Sequence, residues 1–217
     1  MQKCIAVIGA LDTKGDDFAF IKNEIEKRGH RALLINTGVL GEPLIEPDIP
    51  ASEVALAGGK SLEELREIKD KSLAMKVMQK GIAVVMDRLF KQKKIDGGFS
   101  MGGSNGTIIG TSGLRALPLG VPKVMVSTVA SGDTQPYVGV SDLVMIPSIL
   151  DVSGVNRVSA QVYANAVGTI IGMVETEVPQ IDMKPLITAS MFGNTTRLVN
   201  QCKDLLTPHN YEVLIFH

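Results

Sequence analysis

Gly97-Gly98-Phe99-Ser100-Met101-Gly102-Gly103-Ser104-Asn105-Gly106-Thr107 decides the fold. A run too short and too apolar for a helix ends in three glycines within five positions, and residues 105–117 then read as a helix. Strand, tight polar turn and helix form the unit from which parallel sheets are assembled. The same unit recurs outward in both directions. Short runs rich in Val and Ile at 4–8, 32–35, 123–126 and 143–146 each lead into Gly, Ser or Thr. Helical patterns lie at 16–28, with Phe18, Ile21 and Ile25 on one face and Gly29 as the stop, and at 61–94 and 155–174. The alternation predicts an α/β, Rossmann-like parallel sheet with right-handed crossovers and helices on both faces.

Two stretches depart from this rhythm. Residues 61–94 open with a capping box, Ser61 with Glu64, and continue for about nine turns with Gly81 inside, so the expectation is two helices or one helix kinked near Gly81. Its part at 82–90 is apolar nearly all round and should be covered on more than one side, by the same domain or by a second copy of the chain. Residues 39–59 carry Pro43, Pro47 and Pro50 without periodicity and read as a long loop, either a lid or an arm.

The pattern breaks again at 175–184, around Pro179 and Pro185. The expected domains are 1–178 and 179–217, the latter the start of a second similar α/β domain. A constant offset lays Lys3 on Lys184 without a gap, strand on strand, with Gly29 falling on Asn210. A lone strand-helix-strand cannot bury its own faces, so it either adds to the first domain's sheet or, as is expected here, continues into the rest of a second domain beyond this chain.

Composition narrows the classes. The 217 residues are 45% hydrophobic and 21% charged, with 22 Lys plus Arg against 23 Asp plus Glu, which excludes disorder and offers no field to attract nucleic acid. The basic run Lys91-Gln92-Lys93-Lys94 reads as a helix end. Two cysteines, Cys4 and Cys202, in apolar surroundings suit a reducing cytoplasm, and no run is long enough to span a bilayer. Met1-Gln2-Lys3-Cys4 leads into a strand pattern instead of a signal peptide.

Ligands of open parallel sheets bind at the carboxyl ends of the strands, and here those loops are small and polar. Gly102, Gly103 and Gly106, with Ser104, Asn105 and Thr107, suit a phosphate or carboxylate at a helix amino terminus, or else form a structural turn. In the first loop Lys14 is placed for a phosphate beside Thr13, with Asp12 and Asp16 as candidates for magnesium; Asp16 or Asp17 as a helix cap is the plainer reading. Thr37 and Gly38 follow the second strand, and Thr128, Ser131 and Gly132, after the fourth, could take a sugar or a second phosphate or be a plain polar loop. Asp151 is a further strand-end acid. Gly102-Gly103-Ser104-Asn105-Gly106 also satisfies the Gly-x-Ser-x-Gly form of a serine hydrolase, but the downstream histidines are only His209 and His217. No His/Cys cluster has metal-ligand spacing.

Four segments together resemble the ATP-binding domain family typified by the amino-terminal region of the tomato mosaic virus resistance protein. They are Ile8-Gly9-Ala10-Leu11-Asp12-Thr13-Lys14-Gly15, the loop from Gly102 to Thr107, Pro122-Lys123-Val124-Met125-Val126-Ser127-Thr128-Val129-Ala130-Ser131-Gly132, and Asp151-Val152-Ser153-Gly154-Val155-Asn156. The resemblance implies ATP and magnesium held by the first domain's loops, a second domain of similar design, and a homodimer. A protein partner is implied as well, since the plant member acts by binding one. The expected function is a Mg-nucleotide site serving phosphoryl or nucleotidyl chemistry on a small molecule, with a nucleotide-dependent protein-interaction module as the alternative.

Overall fold

Five strands, β1 (Cys4–Gly9), β2 (Arg31–Asn36), β3 (Gly97–Gly102), β4 (Lys123–Ser127) and β5 (Val144–Pro147), form a sheet in the order β2-β1-β3-β4-β5 with every neighbouring pair parallel. The computed structural model describes residues 1–179 and 183–216. Its chain divides into two compact units, Met1–Thr176 and Glu177–His217, and this sheet belongs to the first. Ile5, Ala6, Val7 and Ile8 are wholly buried, as required of a strand covered on both faces, which is why these runs are continuously apolar and not alternating.

Helices α1 (Gly15–Lys27), α2 (Ala51–Gly58), α3 (Leu62–Ile68), α4 (Lys71–Lys91), α5 (Ser104–Leu114), α6 (Gln135–Val138) and α7 (Arg157–Glu175) complete the unit. On one face Val54, Val77, Met78, Ile82 and Leu114 of α2, α4 and α5 form a core with Ile8 and Ile35. On the other, Phe18, Ile21 and Ile25 of α1 meet Tyr163, Val167 and Ile170 of α7 over Val7 and Phe99. This is the expected Rossmann-like arrangement. The chain moves from β1 outward to β2 and then returns across β1 to β3 through α2, α3 and α4, so the winding reverses between β1 and β3.

The break in 61–94 lies at Lys69-Asp70 and not at Gly81. Lys69 takes a left-handed conformation (φ 55°), and Asp70 starts α4 by accepting the amides of Ser72 and Leu73 at 2.8 and 3.1 Å. Gly81 sits inside an unbroken helix for another reason: a Cβ there would lie 1.9 Å from the carbonyl oxygen of Val54, and one at Gly58 would lie 2.1 Å from that of Val77. The two glycines let α2 and α4 touch backbone to backbone. Helix α4 packs against α2 and α5, so residues of the first unit cover Ile82, Val85, Met86 and Leu89. Residues 39–59 are only partly loop. Helix α2 fills 51–58, beginning directly after Pro50, a residue compatible with helix starts although it ends helices elsewhere.

The second unit contains β6 (Leu186–Ser190), α8 (Thr196–Leu206), a 3₁₀ turn at Thr207–His209 and β7 (Glu212–Phe216), with the strands parallel. At the offset that lays Lys3 on Lys184, α8 starts where α1 starts, and Asn210 (φ 66°) takes the left-handed conformation of Gly29 (φ 84°). Val199 is the buried residue among those described in this unit, and the positions 180–182 of the expected linker lie outside the described residues. No helix among the described residues is long and apolar enough to cross a membrane.

Candidate functional site

A cleft of about 890 Å³ opens at the carboxyl ends of β1 and β3, where the winding reverses. Open α/β sheets place ligands at such a switch point because the two flanking loops diverge and leave a crevice. Its polar side is made by the loops after β1, β2 and β3, and its other side by the α3–α4 turn and the first turns of α4.

Asn36, 2% exposed at the end of β2, joins the first two loops, its side-chain oxygen accepting the amides of Leu11 (3.1 Å) and Gly38 (2.8 Å) while the Thr37 amide bonds to the Gly9 carbonyl (2.8 Å). Asp12 reaches across the same junction. Its Oδ2 accepts the amides of Leu40 (2.9 Å) and Gly41 (3.2 Å), and its Oδ1 is buried without a partner beside Gly38, where a Cβ would come within 2.1 Å of it. Arg66 of α3 holds the same loop from the opposite side, donating to the carbonyls of Val39 (3.1 Å) and Gly41 (2.8 Å) and pairing with Glu42. The 39–42 loop is thus held by its amides on one side and its carbonyls on the other.

The glycine turn after β3 is tight: a Cβ on Gly102 would lie 2.9 Å from the Cα of Gly106. Thr107, wholly buried, braces it from behind by donating to the Gly103 carbonyl (2.9 Å) and bonding with the Ser127 hydroxyl (2.6 Å). Gly103 stands before α5 and Lys14 before α1, and neither start has a side-chain cap. The first-turn residues of α5, Ser104, Asn105 and Gly106, line the cleft with amides that have no intrahelical acceptor, whereas of α1 only the preceding Lys14 reaches it. By contrast α3, α4 and α7 are all capped, by Ser61, Asp70 and Asn156.

Of the residues expected at a ligand, Asp12, Thr13, Lys14, Thr37 and Gly38 line the cleft, as do Gly102, Gly103, Ser104, Asn105 and Gly106. Asp16 is exposed on the first turn of α1 outside the lining, so it and Asp12 do not converge on it. Thr107 braces from the interior, and Thr128, Ser131 and Gly132 follow β4, one strand beyond the reversal, and do not line the cleft. Thr128 still borders it, its hydroxyl 3.8 Å from where a Cβ of Gly103 would be. Among the described residues no group of three His, Cys, Asp or Glu is placed to hold a metal.

Sequence reasoning missed the second wall: Arg66, Lys69 and Lys71 at its rim, with Met75 and Met78 below. The signal was present in Lys69-Asp70-Lys71-Ser72, a capping acid inside a helical run. Within the first unit the one histidine, His30, gives Ser104 no base. His30 is engaged at the start of β1 instead, by the Lys3 amide (3.2 Å) and by Glu175 (2.9 Å). Burial pushes the Cys4 thiol up, away from the thiolate form.

Residues 3–179 match the family described as "Uncharacterised protein family (UPF0261) N-terminal domain". A UPF0261 protein of Clostridium tetani is 50% identical over 100% of this chain and 54% of its own length. The tomato (Solanum lycopersicum) protein "ToMV resistance protein Tm-1(GCR237)" is 32% identical over 97% of this chain and 31% of its own. A UDP-N-acetylglucosamine 2-epimerase structure from Rickettsia bellii aligns with 99% of this chain and 62% of that one at 14% identity, with a TM-score of 0.40. The chain spans about half the length of the bacterial relative, and the family match covers the whole described sheet. The chain therefore belongs to the UPF0261 family, with its first unit as the family's amino-terminal domain.

Proposed function

We propose that the cleft is a nucleotide site taking ATP with magnesium, and that the longer protein uses it for phosphoryl or nucleotidyl chemistry on a small molecule. The observation that carries this reading is the uncapped amino terminus of α5, with its glycine turn, beside Lys14 on one cleft at the switch point. Free amides, the positive end of a helix dipole and an ammonium are groups that phosphates demand. Met75, Met78 and Ile109 offer an apolar surface for a base in the same cleft. Phosphoryl chemistry asks chiefly for positioning and charge and needs no histidine base.

Thermal unfolding with a panel of nucleotides, each with and without magnesium, tests the reading. A ligand at about 100 times its Kd stabilises by roughly 2.7 kcal/mol, a rise of a few degrees for a chain of this size. Lys14→Ala should shrink the shift. No shift with any nucleotide at saturating concentration removes the proposal.

One observation favours a second reading, a module whose protein contacts depend on the nucleotide. Leu40, 81% exposed, sits on the clamped 39–42 loop in the wall of the cleft, so a ligand there would alter an exposed apolar side chain. Turnover of ATP by the full-length protein with a small-molecule acceptor would count against it; binding without turnover would favour it.

A further inference from the structure

The turn after β3 has no side chain at 102, 103 and 106, so little on the turn itself sets which way its peptide groups face. That direction decides what the turn can bind. Across a trans peptide the carbonyl and the amide point opposite ways, and only amides turned toward the cleft can meet an anion. Here two successive carbonyls are engaged from behind. The Gly102 carbonyl accepts the Thr128 amide (3.3 Å), and the Gly103 carbonyl accepts both the amide (2.8 Å) and the hydroxyl (2.9 Å) of Thr107. The amides of Gly103 and Ser104 therefore face the other way, and among the described residues neither they nor those of Asn105 and Gly106 have an acceptor.

A hydroxyl bonded to the carbonyl four residues back is an ordinary habit of helical threonine, and Thr111 repeats it one turn later on the Thr107 carbonyl (2.8 Å). A second hydroxyl sets Thr107 apart. Ser127, wholly buried like Thr107, stands 2.6 Å from it, and the Ser127 oxygen also accepts the Val129 amide (3.1 Å). Each hydroxyl carries one proton. If Thr107 gave its proton to Ser127, the Ser127 proton would have no acceptor among the described residues, in a place that water does not reach. One arrangement satisfies every group: the Val129 amide donates to Ser127, Ser127 to Thr107, and Thr107 to the Gly103 carbonyl. All donors run in one direction, so each bond polarises the next. The chain starts in the loop after β4, which does not line the cleft, and ends on the peptide that carries the Ser104 amide, which does. Gly102 and Ser127 are register partners in the sheet, which is what brings the two loops together.

We propose that Thr107 and Ser127 are positioning residues of the cleft: their hydroxyl chain holds the Ser104 amide, and with it the start of α5, toward the phosphate oxygens of the ligand. Through it the loop after β4 acts on the site without lining it. This assignment rests on the nucleotide reading.

Titrating ATP into the chain, at one fixed magnesium concentration and well below the Tm of each variant, tests the assignment. Thr107→Val keeps the shape and removes the hydroxyl, and should weaken binding by about 3–10-fold, as loss of one hydrogen bond does. Thr107→Ser keeps the hydroxyl and lacks the methyl, so it should bind like the unsubstituted chain even with a lower Tm. Thr111→Val, the same chemical change one turn further from the cleft, should leave affinity unchanged. Ser127→Ala should weaken binding as well, yet cost nothing more when added to Thr107→Val, because the chain is already cut there. Lower Tm values with unchanged affinity in Thr107→Val would reduce the hydroxyl to a structural role and overturn the assignment alone. So would equal losses in Thr107→Val and Thr111→Val, or additive losses in the double variant. Should Thr107→Val not fold, Ser127→Ala decides by itself, and affinity equal to that of the unsubstituted chain overturns the assignment. Absence of ATP binding by the unsubstituted chain would overturn the nucleotide reading and this assignment with it.

Discussion

Gly38 and Asp12 show how much of the site depends on single atoms. A methyl group on residue 38 would stand 2.1 Å from Oδ1 of Asp12, so Gly38→Ala must displace the carboxylate that holds the Leu40 and Gly41 amides. The expected loss is about 1–3 kcal/mol, read as a lower Tm, together with, on the proposed function, weaker nucleotide binding. Lys123 presents a different kind of economy: it is wholly buried, with Nζ donating to the carbonyls of Pro118 (2.7 Å) and Val121 (2.6 Å) and pairing with Asp142 (2.7 Å). Burial pushes the Asp142 carboxyl up, but the Lys123 hydrogen bond and the Gly120 amide outweigh it and hold the group below the usual carboxylate range. A group whose folded pKa is depressed stabilises above its unfolded pKa, about 4, and loses that contribution as pH falls through the folded value. The urea midpoint of Asp142→Asn should therefore lie below that of the unsubstituted protein at pH 7, with the gap closing below about pH 4. At this scale the sequence was read only in part. Asp12 was recognisable as an acid at a strand end, but the amides that engage it are 28 and 29 positions away, a proximity that one sequence does not display.

Among the elements, β1 to β4 were legible because burial on both faces writes itself as a mostly apolar run, while β5, half-buried at the sheet edge, is apolar all the same. The crossover from β2 to β3 was harder. Pro50 hid α2 by resembling a breaker, and the Asp70 cap was masked by the lysines around it. Gly81 reads in the sequence as a helix break or kink, whereas in the structure it marks a contact. Its replacement by Ala gains roughly 1 kcal/mol of helix propensity. The new Cβ, however, would sit 1.9 Å from a backbone oxygen on α2 that no rotamer change can move. Net destabilisation by about 1–3 kcal/mol is expected for Gly81→Ala from the overpacking. Denaturation midpoints measured beside an exposed Ala substitution elsewhere on α4 would separate propensity from contact.

Across the whole molecule the two units differ in how well they are buried. The first has a core on each face of its sheet. In the second, Leu186, Phe192, Leu198, Leu205, Leu214 and Phe216 are all exposed. Regions with few buried apolar contacts open at low free energy. Amides of β6 and β7 should accordingly exchange with deuterium much faster than those of β1 and β3, and equal protection would contradict this. The similar β-α-β order of the two units was visible in the sequence as a gapless offset, although identities along it are few. The amides and Lys14 that suit an anion belong to loops on β1 and β3, while the opposite wall comes from α3 and α4, on one uninterrupted stretch between β2 and β3. On the proposed nucleotide reading, the groups that would meet the phosphates and those that would meet the rest of the ligand are thus encoded in separate cassettes, so a lineage could exchange the second for a new specificity without disturbing the first.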